Sequence, residues 1–272
     1  MKMRHIGSVA LVGLSVCALA IGRGQPAPST SPAASPAPAA APSAAPAAEN
    51  RAVVAVGKSD AWWKQRCDAI TANAKKGDVA LVFMGDSITQ GWEGAGKDVW
   101  AKTYGPRKSL NCGIGGDQTQ HLLHRIQNGN VEGLDKPIRE GAATPKLVVM
   151  MIGTNNSNKD DFTPAQIAEG VKACLDATRA KLPDAHVLLL GIFPRGEHTN
   201  PQRDKLAATN AILKTYADET HITYLDIGDK FLQPDGSISK EIMPDYLHLS
   251  PKGYQIWADA IEPQVKKYLG EK

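Results

Sequence analysis

Five short segments of the chain, 79–84, 109–112, 146–151, 186–190 and 222–226, are dominated by aliphatic and β-branched residues with little polar alternation. A strand with one wet face alternates apolar and polar positions, whereas a continuous apolar run signals burial on both faces, as in a parallel sheet covered on each side. Amphipathic stretches near 60–75, 117–127, 164–182, 201–218 and 251–269 lie between and after these runs. Strand and helix patterns in alternation predict an α/β domain of three layers, α/β/α, with about five parallel strands.

Three helix starts are written into the sequence. Thr163-Pro164, Asn200-Pro201 and Ser250-Pro251 each place a capping side chain before a proline, and Thr163 with Gln166 fits a capping box. These marks put the polar motifs on loops at strand ends, where ligands bind in open α/β sheets.

The N-terminus follows another pattern. Lys2, Arg4 and His5 precede an apolar run from Ile6 to Ile21 that ends near Ala18-Leu19-Ala20. That order predicts a secretory signal peptide over 1–23, and hence an exported protein, periplasmic or secreted, with no stable membrane insertion after cleavage. The run is shorter than the ~20 residues a membrane-spanning helix needs. Lipoprotein anchoring through Cys17 is the lesser alternative, since bulky Val16 precedes it. Residues 24–52 read as a Pro/Ala-rich disordered linker, its composition collapsing to Pro, Ala, Ser and Thr up to Ala48. The domain proper is expected over 53–272.

Charge and cysteine usage narrow the function. The first 48 residues hold three of the 31 basic residues and none of the 28 acidic ones, which leaves 28 of each in the remainder. A neutral domain without basic clusters argues against nucleic acid as a partner. Cys67, Cys112 and Cys174 form no CxxC pair, so neither a zinc nor a thioredoxin motif is present. A core of this size does not need a disulfide, and no pairing is expected.

Chemistry concentrates at the strand ends. Gly85-Asp86-Ser87 follows the first buried run and precedes a helical turn, which presents the Ser87 hydroxyl near backbone N–H groups at a helix start. Taken alone, the tripeptide is an ordinary turn with a cap. It is not a G-x-S-x-G elbow, because Thr89 stands where the second glycine belongs. Asn111-Cys112-Gly113-Ile114-Gly115-Gly116-Asp117 is glycine-rich, but Gln118 occupies the last glycine of a dinucleotide fingerprint and no Walker lysine follows. Backbone donors for an oxyanion suit this loop better. The Asn155 amide in Gly153-Thr154-Asn155-Asn156 could donate into the same cleft. In Asp245-Tyr246-Leu247-His248 an aspartate can hold an imidazole whose other nitrogen faces a serine.

These four blocks, in this order, resemble the SGNH (GDSL) hydrolases over a span from about Val79 to the C-terminus. Leu110-Asn111-x-Gly113-Ile114-Gly115-Gly116-Asp117-x-Thr119-x-His121 and Gly191-Ile192-x-Pro194-Arg195-Gly196 are most similar to the catalytic subunits of platelet-activating-factor acetylhydrolases. The resemblance implies a flavodoxin-like SGNH hydrolase fold and a carboxylic ester hydrolase of acetylesterase type. It implies a triad of Ser87, Asp245 and His248 and an oxyanion hole of the Ser87 and Gly116 N–H groups with the Asn155 side chain. No metal or organic cofactor belongs to such a mechanism. Gly116 is chosen over Gly115 because the family uses the glycine directly before the aspartate; geometry could reverse that. Asp86 and Asp117 are expected to brace their loops, and Trp92 either lines the cleft or packs a helix. The substrate expected is a small-molecule or glycan ester with a short, O-acetyl-like acyl group, its alcohol half and the oligomeric state remaining open. The alternative is a non-catalytic glycan- or partner-binding module on the same fold; against it, no member of the four blocks is missing.

Overall fold

The computed structural model describes residues 49–218 and 220–272. The expected signal peptide, Cys17 and most of the linker lie outside the described residues. Five strands, β1 (Leu81–Gly85), β2 (Ser109–Gly113), β3 (Leu147–Met151), β4 (His186–Leu190) and β5 (Ile222–Leu225), form one sheet in the order β2-β1-β3-β4-β5, and every pair is parallel. Successive strand residues point to opposite faces. Val82, Met84, Val148 and Met150 therefore enter one core layer, while Leu81, Phe83, Leu147, Val149 and Met151 enter the other. Both faces being dry explains the unbroken apolar runs.

Helices α1 (Ala61–Ala74), α4 (Thr119–Gln127), α5 (Pro164–Lys181) and α6 (Pro201–Leu213) cover the first layer. The short α2 (Ser87–Gln90), α3 (Lys97–Thr103) and the long α7 (Pro251–Leu269) cover the second. This is the expected α/β/α sandwich. Phe83, Trp92, Trp100, Tyr104, Tyr254 and Trp257 form an aromatic cluster on the α7 side, with Trp92 and Tyr254 centroids 4.5 Å apart. Trp92 is fully buried there, so of its two expected roles it packs and does not line a cleft.

All three expected caps form: Thr163, Asn200 and Ser250 accept from the backbone N–H of Gln166, Arg203 and Gly253, and the Thr163–Gln166 capping box is complete. Two expectations change. Residues 50–52, the end of the expected disordered linker, are fastened to the domain, because Asn50 caps a 3-10 turn (Arg51–Val53), its amide donates to the Gln166 carbonyl and Glu169, and buried Ala52 accepts from Thr119 Oγ1. The amphipathic stretch expected to reach 218 ends as helix at Leu213, followed by a 3-10 turn (Lys214–Tyr216). Among the described residues no helix is long and apolar enough to cross a membrane.

Candidate active site

From β1 the chain crosses to β2 on one side, and on the other side β1 pairs with β3. The carboxyl ends of these three neighbours, a topological switch point, carry the first three motif blocks on one edge of the sheet. The fourth block arrives on the loop that ends at the Ser250 cap of α7.

Ser87 opens α2 directly beyond β1. The Asp86 carboxylate accepts from the Ile88 N–H at 3.0 Å and caps this turn. Gly85 is required by close approach, since a Cβ there would collide with Thr89 Oγ1 and the Met151 carbonyl. The His248 Nε2 lies 2.9 Å from Ser87 Oγ, and its Nδ1 lies 2.6 Å from Asp245 Oδ2. An ionised carboxylate only accepts, so Nδ1–H donates to Asp245, which leaves the Nε2 lone pair to accept from the Ser87 hydroxyl. Asp245 Oδ1 also accepts from the His248 and Leu247 N–H groups at 2.7 and 3.1 Å. Burial works against its charge, but the His248 ring and these two N–H groups outweigh that and hold Asp245 below the usual carboxylate range. The carboxylate is nevertheless 56% exposed.

The glycine-rich loop separates the two candidate donors. The Gly115 N–H is already given to Gln90 Oε1 at 2.7 Å. Gly116 adopts φ +70°, a left-handed conformation suited to glycine. Among the described residues neither its N–H nor that of Ser87 has an acceptor. Asn155 donates one amide hydrogen to the Asp117 carbonyl at 2.9 Å, and an amide carries two.

Asp117 braces the loop as expected, from a fully buried position between Lys58 at 3.0 Å, the Trp63 indole N–H at 2.7 Å and Arg125 at 2.8 Å. Asp86 is also fully buried. Burial pushes its carboxyl up to about 7; the Ile88 N–H opposes this, the Asp117 charge adds to it, and His248 and Arg195 offset part of it. Its second oxygen has no partner among the described residues.

Four site residues were absent from the sequence-based set. Arg195 donates to Thr154 on the third block and to Asn158 just beyond it, and exerts its charge on Asp86 and Asp245; the Gly191–Gly196 motif was its only signal. Gln90 holds Gly115, and Lys58 reaches the same loop. Trp62 stands 52% exposed on the rim: a Cβ on Gly115 would lie 3.6 Å from its ring and 3.8 Å from the Ser87 Cβ.

Comparison with known proteins agrees with this architecture. The GDSL-like lipase/acylhydrolase family model matches residues 83–256. The platelet-activating factor acetylhydrolase IB subunit alpha1 of Homo sapiens is 36% identical over 215 residues, 79% of this chain and 87% of that protein. The alpha2 subunit of Mus musculus is 34% identical over 198 residues, 72% and 80% of the two chains. A putative acylhydrolase from Bacteroides fragilis superposes with a TM-score of 0.61 at 23% identity, over 78% of this chain and all of that one. A catalytic mutant of an acetylxylan esterase from Geobacillus stearothermophilus superposes at 0.52 with 19% identity, over 71% and 95% of the two chains. At these identities the two structures speak for the fold; it is the family model and the subunit relatives that carry kinship. The chain belongs to the GDSL-like lipase/acylhydrolase family and is a carboxylic ester hydrolase.

Proposed function

We propose that the protein hydrolyses short-chain esters, O-acetyl groups above all, with Ser87 as nucleophile, His248 as general base and acid, and Asp245 as the group that orients His248. The observation carrying this reading is the continuous relay Ser87–His248–Asp245, with contacts of 2.9 and 2.6 Å. In it, His248 Nε2 takes the proton as Ser87 Oγ attacks the ester carbonyl, and Asp245 stabilises the imidazolium. The Ser87 and Gly116 N–H groups and the second Asn155 amide hydrogen receive the oxyanion. The tetrahedral intermediate collapses as His248 returns its proton to the leaving alcohol. Water, deprotonated by His248, then attacks the acyl-enzyme, and His248 returns that proton to Ser87 Oγ as the acid leaves.

The short-acyl preference rests on the surroundings of Ser87. Each further CH₂ of an acyl chain is worth ~0.8 kcal/mol only where an apolar wall receives it. Trp92 is buried away from the cleft, and the neighbouring segments at 155–158 and 195–200 are polar. The names of the acetylhydrolase subunits and the acetylxylan esterase agree with an acetyl group. A sugar-borne ester is favoured by the exposed face of Trp62, since aromatic planes stack on flat, partly apolar partners. We also infer export, supported by the basic start and apolar run of residues 1–23; N-terminal sequencing of the mature protein from a bacterial host should read from shortly after Ala20.

The test is kcat/KM across p-nitrophenyl acetate, butyrate, octanoate and palmitate below their micellar limits, with Ser87→Ala as control. Acetate should give the maximum, and the mutant should lose turnover by several orders of magnitude with its melting temperature nearly unchanged. A maximum at octanoate or beyond refutes the short-acyl reading; wild-type turnover by Ser87→Ala refutes the nucleophile. Acetate release from acetylated xylo-oligosaccharides against short-chain phospholipids decides the alcohol half.

A further inference from the structure

Residues 57–66 precede the first strand and lie outside the 83–256 span of the family match, yet they are fastened to the glycine-rich loop. Asp60 caps α1 through the Trp63 N–H at 2.7 Å, and the Trp63 indole N–H reaches Asp117. Arg66 donates to the Gly113 carbonyl at 3.3 and 3.2 Å while pairing with Glu93. Upstream, the Val56 N–H donates to the Gln120 carbonyl. Held between these anchors, Lys58 places its ammonium 3.0 Å from Asp117 Oδ1 and 3.3 Å from the Gly115 carbonyl oxygen.

The Gly115 carbonyl and the Gly116 N–H are two ends of one planar, trans peptide group and point in opposite directions. A cation bonded to the oxygen therefore fixes the plane in which the N–H lies and draws electron density away from nitrogen, which makes the N–H a stronger donor. The neighbouring peptide is fixed too, through Gln90 on the Gly115 N–H. Beneath the loop, two cations, Lys58 and the buried Arg125, share the single carboxylate of Asp117.

We propose that Lys58 is a positioning residue of the ester-hydrolysing site: it clamps the carbonyl end of the Gly115–Gly116 peptide so that the N–H end is aimed and polarised for the oxyanion. This rests on the reading that the Gly116 N–H receives the oxyanion.

The experiment compares Lys58→Met, Lys58→Gln and Lys58→Arg with wild type on p-nitrophenyl acetate and measures inhibition by a boronic acid, which adds to the serine as a tetrahedral anion. The neutral variants should lose about 10–100-fold in kcat with KM within about twofold, and the boronic acid Ki should rise by a similar factor. Lys58→Arg, which keeps the charge, should return to within about threefold of wild type. A merely structural role would lower the melting temperature and leave the ratio of Ki to KM unmoved. If either folded neutral variant keeps kcat and Ki within about twofold of wild type, the assignment is overturned; failure of both to fold would make Lys58 a stability element and overturn it as well. Wild-type turnover, and its loss in Ser87→Ala, is measured first. Its absence would strike the whole site reading and Lys58 with it, whereas normal turnover insensitive to Lys58 strikes Lys58 alone.

Discussion

Replacing Asp86 by asparagine isolates the energetic cost of burying a carboxyl beside Ser87. Asp86 is fully buried, and its folded pKa of about 7 compares with an ordinary 3.8. Between those values the folded protein holds a proton that the unfolded chain has released, so the stability contributed by this group falls as pH rises from 4 to 7. Three units at about 1.4 kcal/mol each set a ceiling of roughly 4 kcal/mol on the loss. Asparagine keeps an oxygen to accept from the Ile88 N–H, preserves the shape and carries no titrating proton. Near pH 4, where aspartic acid is also neutral, the two proteins should have similar stability; at pH 8 Asp86→Asn should be the more stable by roughly 2–4 kcal/mol. His121 acts in the opposite sense. Burial first, then the Lys58 charge, lowers its pKa from 6.5 to about 4, so its contribution is present above 6.5 and is lost as pH falls toward 4. The wild-type curve alone would blend the two, and the informative quantity is the difference between variant and wild type. Urea unfolding at half-unit steps from pH 4 to pH 8 measures it. A difference constant to within about 1 kcal/mol across that range would mean that Asp86 titrates normally and would refute the argument.

Three further outcomes follow from the geometry. Asn155→Ala should lower kcat by about 10²–10³ by removing one oxyanion donor, and an unaffected rate would place the hole elsewhere. Asp245→Asn should cost somewhat less than the ~10⁴ typical of a buried triad aspartate, because its carboxylate is 56% exposed and solvent can assist the imidazolium; steady-state kinetics at saturating substrate reads this directly. Phe83→Ala should destabilise by about 3–5 kcal/mol in denaturant unfolding, since it opens a cavity between Trp92, Trp100, Tyr104 and Trp257.

Much of this was legible in the sequence where one local signal sufficed. β1, β3 and β4 could be read because they bury both faces throughout, and β4 matches its expected bounds at His186–Leu190, whereas the edge strand β5 is half-buried beyond Ile222. The capped helices could be read because a polar side chain followed by proline has few other uses. Helix α3 escaped notice: it has seven residues, no capping side chain, Gly96 at its N-cap and no fully buried residue, so neither a start signal nor a clear stripe marks it. Trp62 and Trp63 are adjacent and chemically identical, yet one is exposed on the rim and the other buried on Asp117; periodicity alone could not say which. Lys58 was invisible for a different reason. Its contacts lie 57 residues away at Gly115, and no spacing rule connects a lysine before a helix to a carbonyl on a loop that follows β2. The Ser87, Asp245 and His248 side chains, equally distant in sequence, were found through their motif blocks, and the structure brings them within hydrogen-bond reach of one another.

The contact between Ser87 and His248 closes a loop of 161 residues, from the end of the first strand to the turn before the last helix. Closing so long a loop costs chain entropy that the packing around the contact has to offset. Ester turnover during refolding therefore requires the turn before α7 to have docked against the end of β1, whereas circular dichroism reports helix wherever it forms. A lag between the two signals would time the final closure of the molecule, with the substrate serving as the stopwatch.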